Sequence, residues 1–215
     1  MAKRLPTEKL AAFFSCPFSP FRHSLAFGMI YFLTPYSFEL KLLDAIAAYM
    51  ELLQPEDWAV IQDGDTAFLH PDFGHQIKTH IENYPTAGLF TSYASRCHYK
   101  VQVPPGVDME NDSILYHKQQ TEYRVRLAPG KVTQINRKIA GHLMVIRKST
   151  WSLILPMVQS TGFSKQILGV DTKISKAILS MGMKILLMED VYIFHYCRLR
   201  EGFSYTKHIV PCTKL

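Results

Sequence analysis

The chain has no run of eighteen or more apolar residues, so no transmembrane helix is expected. Its opening, MAKRLPTEKLAAFF, is basic but lacks the uninterrupted apolar stretch of a secretory signal, and a cytoplasmic location is expected. Cysteine is sparse: Cys16, Cys97, Cys197 and Cys212 lie far apart with no CxxC pair. Structural zinc normally uses closer ligand spacing, and a reducing compartment would leave these thiols free. Neither GxxxxGKS/T nor GxGxxG occurs, which argues against a P-loop NTPase and a Rossmann dinucleotide enzyme. Nothing repeats, and no clean linker divides the chain.

What is present suits an ordinary globular protein: 215 residues, 47% hydrophobic and 20% charged, enough for one domain or a domain with a small appendage. Lys and Arg number 24 against 18 Asp and Glu, a formal net charge of +6. That excess favours a nucleotide phosphate, a nucleic acid or an anionic membrane surface without choosing among them. The basic residues are scattered in short groups such as 137–138 and 147–149, which reads as a solvated face and argues against nucleic acid as a partner. FFSCPFSPF, 13–21, holds four phenylalanines and two prolines. Covering a core edge is the usual fate of such residues; a peripheral contact with a membrane or a partner is the other.

Regular structure becomes legible at residue 29. MIYFL, 29–33, has the apolar character of an interior strand, TPYS turns the chain, and Ser37 and Glu39 suit a helix start. Leu42, Leu43, Ile46, Met50 and Leu53 recur at helical spacing and predict a helix over 38–53, stopped by QPED. WAVIQ, 58–62, predicts a second buried strand, so strand, helix and strand fall within about forty residues, the span of a parallel crossover unit.

Asp63 and Asp65 then lie just past the carboxyl end of that second strand, where open α/β sheets gather their ligands. Gly64 between them allows a close turn. Carboxylates this near repel unless a cation or hydrogen-bond donors offset the charge. A plain Asx-type turn leading into the helix of HPDFGHQIKTHIENY explains the same residues without a ligand.

Beyond that helix, with Phe73, Ile77 and Ile81 on one face, AGLFTSY, 87–93, predicts a strand and PPGVDMENDS a loop. YHKQQTEYRVRLAPGKVTQIN is expected to supply two short strands joined around Pro129 and Gly130. HLMVI predicts a strand, and Gly141 before it is small enough to let backbone approach a ligand or simply to bend the chain. Ile174, Ile178 and Met181 mark a helix face; KILLM and VYIF predict two strands, the second ending at His195. Asp171 stands at a helix start, where capping alone could account for it, and His195 could be a satisfied histidine at a strand end.

QDGDTAFL after an apolar strand, GVD before a downstream helix and FHY after the last strand together resemble the GT-A glycosyltransferase fold, nearest to its broad inverting family 2. The resemblance runs in order over about residues 29–200. It implies an α/β fold with a mostly parallel or mixed sheet flanked by helices. One helix stands where members of the family place further strands and helices before the DxD motif, so the nucleotide-binding half is compact. By the same resemblance Asp63 contacts donor sugar or ribose, Asp65 and His195 hold Mn²⁺ or Mg²⁺ on the diphosphate, and Asp171 activates the acceptor. Thr34, Pro35 and Tyr36 border the base, and Gly141 and His142 line the donor sugar, although His142 can equally face the core.

The activity so implied is transfer of a sugar from a nucleotide sugar, with a UDP-sugar favoured, to a glycan, a lipid-linked or another hydroxyl acceptor, in surface polysaccharide synthesis or a related process. The expected organisation is an aromatic-rich segment 1–28, a catalytic domain 29–200 with an excursion around 99–135, and a tail 201–215. Paired aspartates with a divalent ion also serve nucleotidyltransferases and phosphodiesterases. A non-catalytic glycan-binding or membrane-surface protein is the contrasting expectation.

Overall fold

A computed structural model describes residues 28–35, 42–160 and 169–196. In chain order the elements are β1 Ile30–Leu33, α1 Leu42–Met50, β2 Trp58–Gln62, β3 Thr66–Phe68, α2 Phe73–Asn83, β4 Leu89–Ala94, a 3-10 turn Lys100–Gln102, α3 Ile114–Leu127, β5 Val132–Ile135, β6 Leu143–Arg147, α4 Lys148–Ser160, α5 Val170–Ser180 and β7 Ile185–His195. The strands form one open sheet in the order β1-β2-β6-β4-β7-β3, with β5 also paired to β7. β1 with β2 and β4 with β7 are parallel, while β6 runs antiparallel to both β2 and β4. Hence β1, β2, β4 and β7 point one way and β6, β3 and β5 the other. The protein is α/β with a mixed sheet.

Side-chain alternation explains why this sheet is covered on both faces. Ala59 and Ile61 of β2, Met144 and Ile146 of β6, and Ile185 and Leu187 of β7 point into one core with Ile46, Met50, Trp151, Ile154, Ile174 and Ile178 from α1, α4 and α5. Their neighbours Trp58, Val60, Leu143, Val145, Leu186 and Met188 pack on the other face against Ile77 and Ile81 of α2. The β1-α1-β2 crossover forms as its pattern predicts, with WAVIQ as β2, but β1, expected as an interior strand, lies at the sheet edge, pairing with β2 alone and leaving Tyr31 and Phe32 exposed. Among the described residues its helix begins at Leu42 and ends at Met50; Leu53 is buried in the following turn. Ser37, Glu39 and Tyr36 lie outside the described residues.

Three expectations are corrected. Residues 114–127 are a helix, not a strand, because Ser113 caps its first turn by accepting from Tyr116 N at 3.3 Å. Its buried face, His117, Thr121 and Arg124, has helical spacing but is polar, so apolar periodicity does not reveal it. Of the expected pair, only β5 forms, after a turn in which Gly130 takes a left-handed φ of 67°.

KILLM and VYIF, expected as two strands, are one eleven-residue strand, β7. Its register against β4 shifts between Ser92 and Tyr93, which absorbs the intervening Glu189, Asp190 and Val191 as a bulge. Asp190 tolerates its buried place there because Gly130 N donates to it at 2.9 Å and His80 pairs with it. Met181, expected on the α5 core face, caps the helix end and is exposed. Helix α4 has no counterpart in the sequence reading; it carries Pro156 internally and buries Trp151, Ile154 and Val158.

Candidate functional site

The shared direction of β1, β2, β4 and β7 brings their carboxyl ends to one edge of the sheet, and antiparallel β6 begins at that same edge. Gln62 stands opposite Leu143, and Thr66 opposite His195. This edge therefore collects Thr34 and Pro35 after β1, Asp63 after β2, Gly141 and His142 before β6, and His195 at the end of β7.

Asp63, Gly64 and Asp65 form a turn closed by Thr66, whose hydroxyl donates to Asp63 O at 2.8 Å. It does not cap α2, whose N-cap is Asp72 beyond the short strand β3. Gly64 is not needed for the turn: it lacks a left-handed φ, and a Cβ there would make ordinary contact with the Thr34 methyl at 3.7 Å. Backbone bonds hold both flanks, from Asp63 N to His142 O at 3.2 Å and from Tyr196 N to Asp65 O at 2.9 Å.

Side-chain atoms of Asp63, Asp65 and His195 that could ligate an ion lie within 4.8 Å of one another. His195 Nδ1 donates to Arg96 O at 2.8 Å, which fixes the ring and leaves Nε2 facing Asp65 Oδ2 at 3.4 Å. Burial and the Asp65 charge push the Asp63 carboxyl up to about 7. Burial opposes a charge on His195, yet its hydrogen bond and charge interaction with Asp65, and its bond to the Arg96 carbonyl, raise it above the ordinary imidazole value. Two carboxylates that resist ionising together, with one oriented imidazole, fit a hard divalent cation such as Mn²⁺ or Mg²⁺.

Beside this cluster is a cavity of about 140 Å³, lined by Pro35, Asp63, Gly141, Gly169 and Asp171 and by apolar side chains from α1, β2 and β6. Asp171 sits in the first turn of α5, where the helix dipole favours a carboxylate. Its Oδ1 accepts from Thr172 N at 2.6 Å, and Gly141 supplies a further backbone bond. Burial nevertheless dominates and raises its pKa. Gly141, expected to admit a ligand to the backbone, instead admits Asp171: a Cβ at 141 would stand 2.9 Å from Asp171 Cβ.

Four expected site residues, Pro35, Asp63, Gly141 and Asp171, thus share the cavity, and Asp65 and His195 share the cluster with Asp63. Thr34 lies beside Gly64. His142 takes the core-facing of its two alternatives: it is buried, its Nε2 bonds Ser92 O at 3.1 Å, and its ring backs that of His195 at 6.0 Å. Burial lowers its pKa to about 3, so it is neutral. Tyr36 and Cys197 lie outside the described residues; Cys97 is buried.

Two supporting residues carry no motif in the sequence. Arg96 is buried, donating to Met109 O at 2.8 Å, Asn111 O at 3.1 Å and His195 O at 3.3 Å and pairing with Asp112. Gln102, fully buried, grips Ala140 twice: Ala140 N donates to its Oε1 at 2.7 Å, and its Nε2 donates to Ala140 O at 3.2 Å. The only signal for either is a polar residue shortly after a strand end.

Comparison with models of known protein families and with curated proteins gives no match. No helix among the described residues is long and apolar enough to cross a membrane.

Proposed function

We propose that the protein is a metal-dependent glycosyltransferase of the GT-A kind, moving a sugar from a nucleotide sugar, by preference a UDP-sugar, to an acceptor hydroxyl with inversion. The observation that carries this reading is the meeting of Asp63, Asp65 and His195 in one cluster while Asp63 also lines the cavity holding Asp171. One group thereby touches both the place for a diphosphate-bound cation and the place for a proton acceptor.

Asp65 and His195 would hold Mn²⁺ or Mg²⁺, which supplies charge compensation for a departing nucleoside diphosphate. Asp63 accepts hydrogen bonds from donor sugar or ribose. Thr34 and Pro35 border the donor. Asp171, whose raised pKa makes it a stronger base than an exposed aspartate, takes the proton from the acceptor hydroxyl as that oxygen bonds to the anomeric carbon. The bond from that carbon to the diphosphate oxygen breaks on the opposite face, and the diphosphate leaves with the electron pair. A glycan or lipid-linked hydroxyl is the acceptor class.

Calorimetric titration of UDP-, GDP- and CMP-sugars, with and without Mn²⁺, tests this reading. Metal-dependent binding that disappears in Asp65→Ala is the expected result. A folded protein that takes up metal yet binds none of the donors, and instead cleaves a phosphodiester or binds a nucleoside triphosphate, would replace it with the phosphodiesterase or nucleotidyltransferase reading.

A further inference from the structure

Arg96 meets His195 twice and the chain just ahead of α3 three times. Its carbonyl accepts from His195 Nδ1 at 2.8 Å, and its Nη1 donates to His195 O at 3.3 Å. On the other side its Nε donates to Met109 O at 2.8 Å, while its Nη2 donates to Asn111 O at 3.1 Å and pairs with Asp112. The side chain is 5% exposed, so a guanidinium is held out of water and depends on these groups to satisfy it. The ring and the backbone of one residue, His195, thus take their position from the same arginine.

The loop that Arg96 grips has its own anchor on β7. Asn111 O also accepts from His117 Nε2 at 2.7 Å, and His117 Nδ1 accepts from Tyr192 Oη at 2.6 Å. Residues 109–112 are therefore referred to the body of β7 through α3, and Arg96 carries that position to the end of the same strand.

We propose that Arg96 is a positioning residue through which the loop 109–112 sets the affinity of the cation site, by holding the His195 ring with Nε2 turned towards Asp65. The proposal rests on His195 as a ligand in the glycosyltransferase reading and deepens it by naming what controls that ligand. Groups that orient a ligating histidine from behind are worth about ten- to a hundredfold in metal affinity. Arg96→Lys keeps the charge and the carbonyl at 96, but a single ammonium lacks the planar fork and does not reach Met109 O, Asn111 O and His195 O together.

Mn²⁺ affinity is measured by calorimetry in the full chain, in Arg96→Lys, in His195→Ala and in the double variant, with melting curves to show that each is folded. Ligation by His195 is read from the imidazole nitrogen modulation of the electron spin echo of bound Mn²⁺. Arg96→Lys should bind Mn²⁺ at least tenfold more weakly, with the nitrogen modulation reduced or lost. The double variant should bind no more weakly than His195→Ala, because the arginine then has no ligand left to position. Parent affinity and parent modulation in Arg96→Lys, or losses that add in the double variant, overturn the proposal and leave the cation site standing. If His195→Ala binds Mn²⁺ as tightly as the parent, His195 leaves the site and the proposal falls with that part of the transferase reading. Should Arg96→Lys not fold, Asp112→Ala decides: its side chain is 56% exposed, and its loss frees one loop contact of the guanidinium. Severalfold weaker Mn²⁺ binding with altered modulation then upholds the proposal, and unchanged binding overturns it.

Discussion

Gly141 and Asp171 touch so closely that a Cβ on residue 141 would stand 2.9 Å from the Asp171 Cβ and 3.7 Å from its Oδ2. The loop before β6 and the first turn of α5 are thus fitted to each other at the carboxyl group assigned as base. The absence of a side chain at 141 is a condition of that fit, not a means of turning the chain.

Gly141→Ala should therefore displace Asp171 by a few tenths of an ångström or more. Overpacking of this kind costs about 1–3 kcal/mol, and misplacing a reacting group lowers rates by up to about a hundredfold. The expected result is transfer reduced at least tenfold with Mn²⁺ affinity unchanged, because the metal cluster stands on other segments. Parallel loss of metal binding and rate would mean that the whole edge had collapsed.

Asp171→Asn isolates the carboxylate. Transfer should fall by about 10²–10⁴, with metal and donor binding retained. The sign of the stability effect follows from the raised pKa. A group whose folded pKa exceeds its unfolded value stabilises fully below the unfolded pKa and loses that contribution as pH rises through the folded one. Asparagine removes this loss, so the variant should be at least as stable as the parent at pH 7. A thermal melt across pH and a single-turnover assay check both halves.

Much of this edge was legible because most of its clustered polar side chains lie at ends of apolar strands. WAVIQ is buried on both faces and so reads without ambiguity, and the residues just after it fall where the sheet opens. Asp63, Asp65 and His195 were each accessible to that reasoning, and Asp171 through its place at a helix start. Helix α3 was hidden because its buried stripe, His117, Thr121 and Arg124, is polar, and His117 is satisfied by the distant Tyr192 Oη at 2.6 Å as well as by the nearby Asn111 O at 2.7 Å. The continuity of β7 was hidden because two acidic residues resemble a strand break, and only the tertiary partners of Asp190 make them tolerable. His142 was ambiguous by nature, since alternation in β6 does not fix the residue before it.

Cation binding should strengthen as pH rises through 7, since a ligand must lose its proton first. Asp63 titrates at about 7, and His195 above its ordinary 6.5. Mn²⁺ should therefore raise the melting temperature more at pH 7.5 than at pH 5.5, and chelation should reverse the gain. Saturation at a hundred times Kd corresponds to about 2.7 kcal/mol. The pH dependence should flatten in Asp63→Asn, which removes a carboxyl that titrates beside Asp65.

His142 gives the opposite pH sign. Its folded pKa of about 3 lies below the ordinary imidazole value of 6.5 because burial disfavours the imidazolium. The unfolded chain then binds the extra proton, so stability drops as pH falls from 6.5 towards 3, by at most about 1.4 kcal/mol per pH unit. His142→Gln, able to keep a bond to Ser92 O, should lack this component. Denaturant unfolding of both proteins in chelator, at pH 7 and pH 4.5, should show the parent losing more stability by a few kcal/mol. Equal losses would mean that His142 is hydrated or charged in the fold.

Gln102 connects the hidden interior to the edge that carries the cavity. It binds both polar groups of Ala140, is fully buried, and also donates to Thr91 Oγ1 at 2.9 Å, while Thr91 donates to Leu143 O at 2.8 Å. Residues 140–143 are thus fixed from beneath, and with them the distance from Gly141 to Asp171. From the helix side, Ser175 completes the clamp, donating to Asp171 O at 2.7 Å and accepting from Ile139 N at 3.3 Å. Gln102→Leu keeps the volume but strands the N–H and C=O of Ala140, a cost of about 1–3 kcal/mol for each buried group left unmade. Its effect on chemistry should exceed its effect on binding: kcat should fall at least tenfold while metal-dependent donor affinity changes by less than threefold. Gln102→Glu keeps the acceptor for Ala140 N and loses the donor to Ala140 O, so it should recover part of the rate. A leucine variant with reduced stability but unchanged kcat would mean that Gln102 supports the fold alone and does not position Asp171.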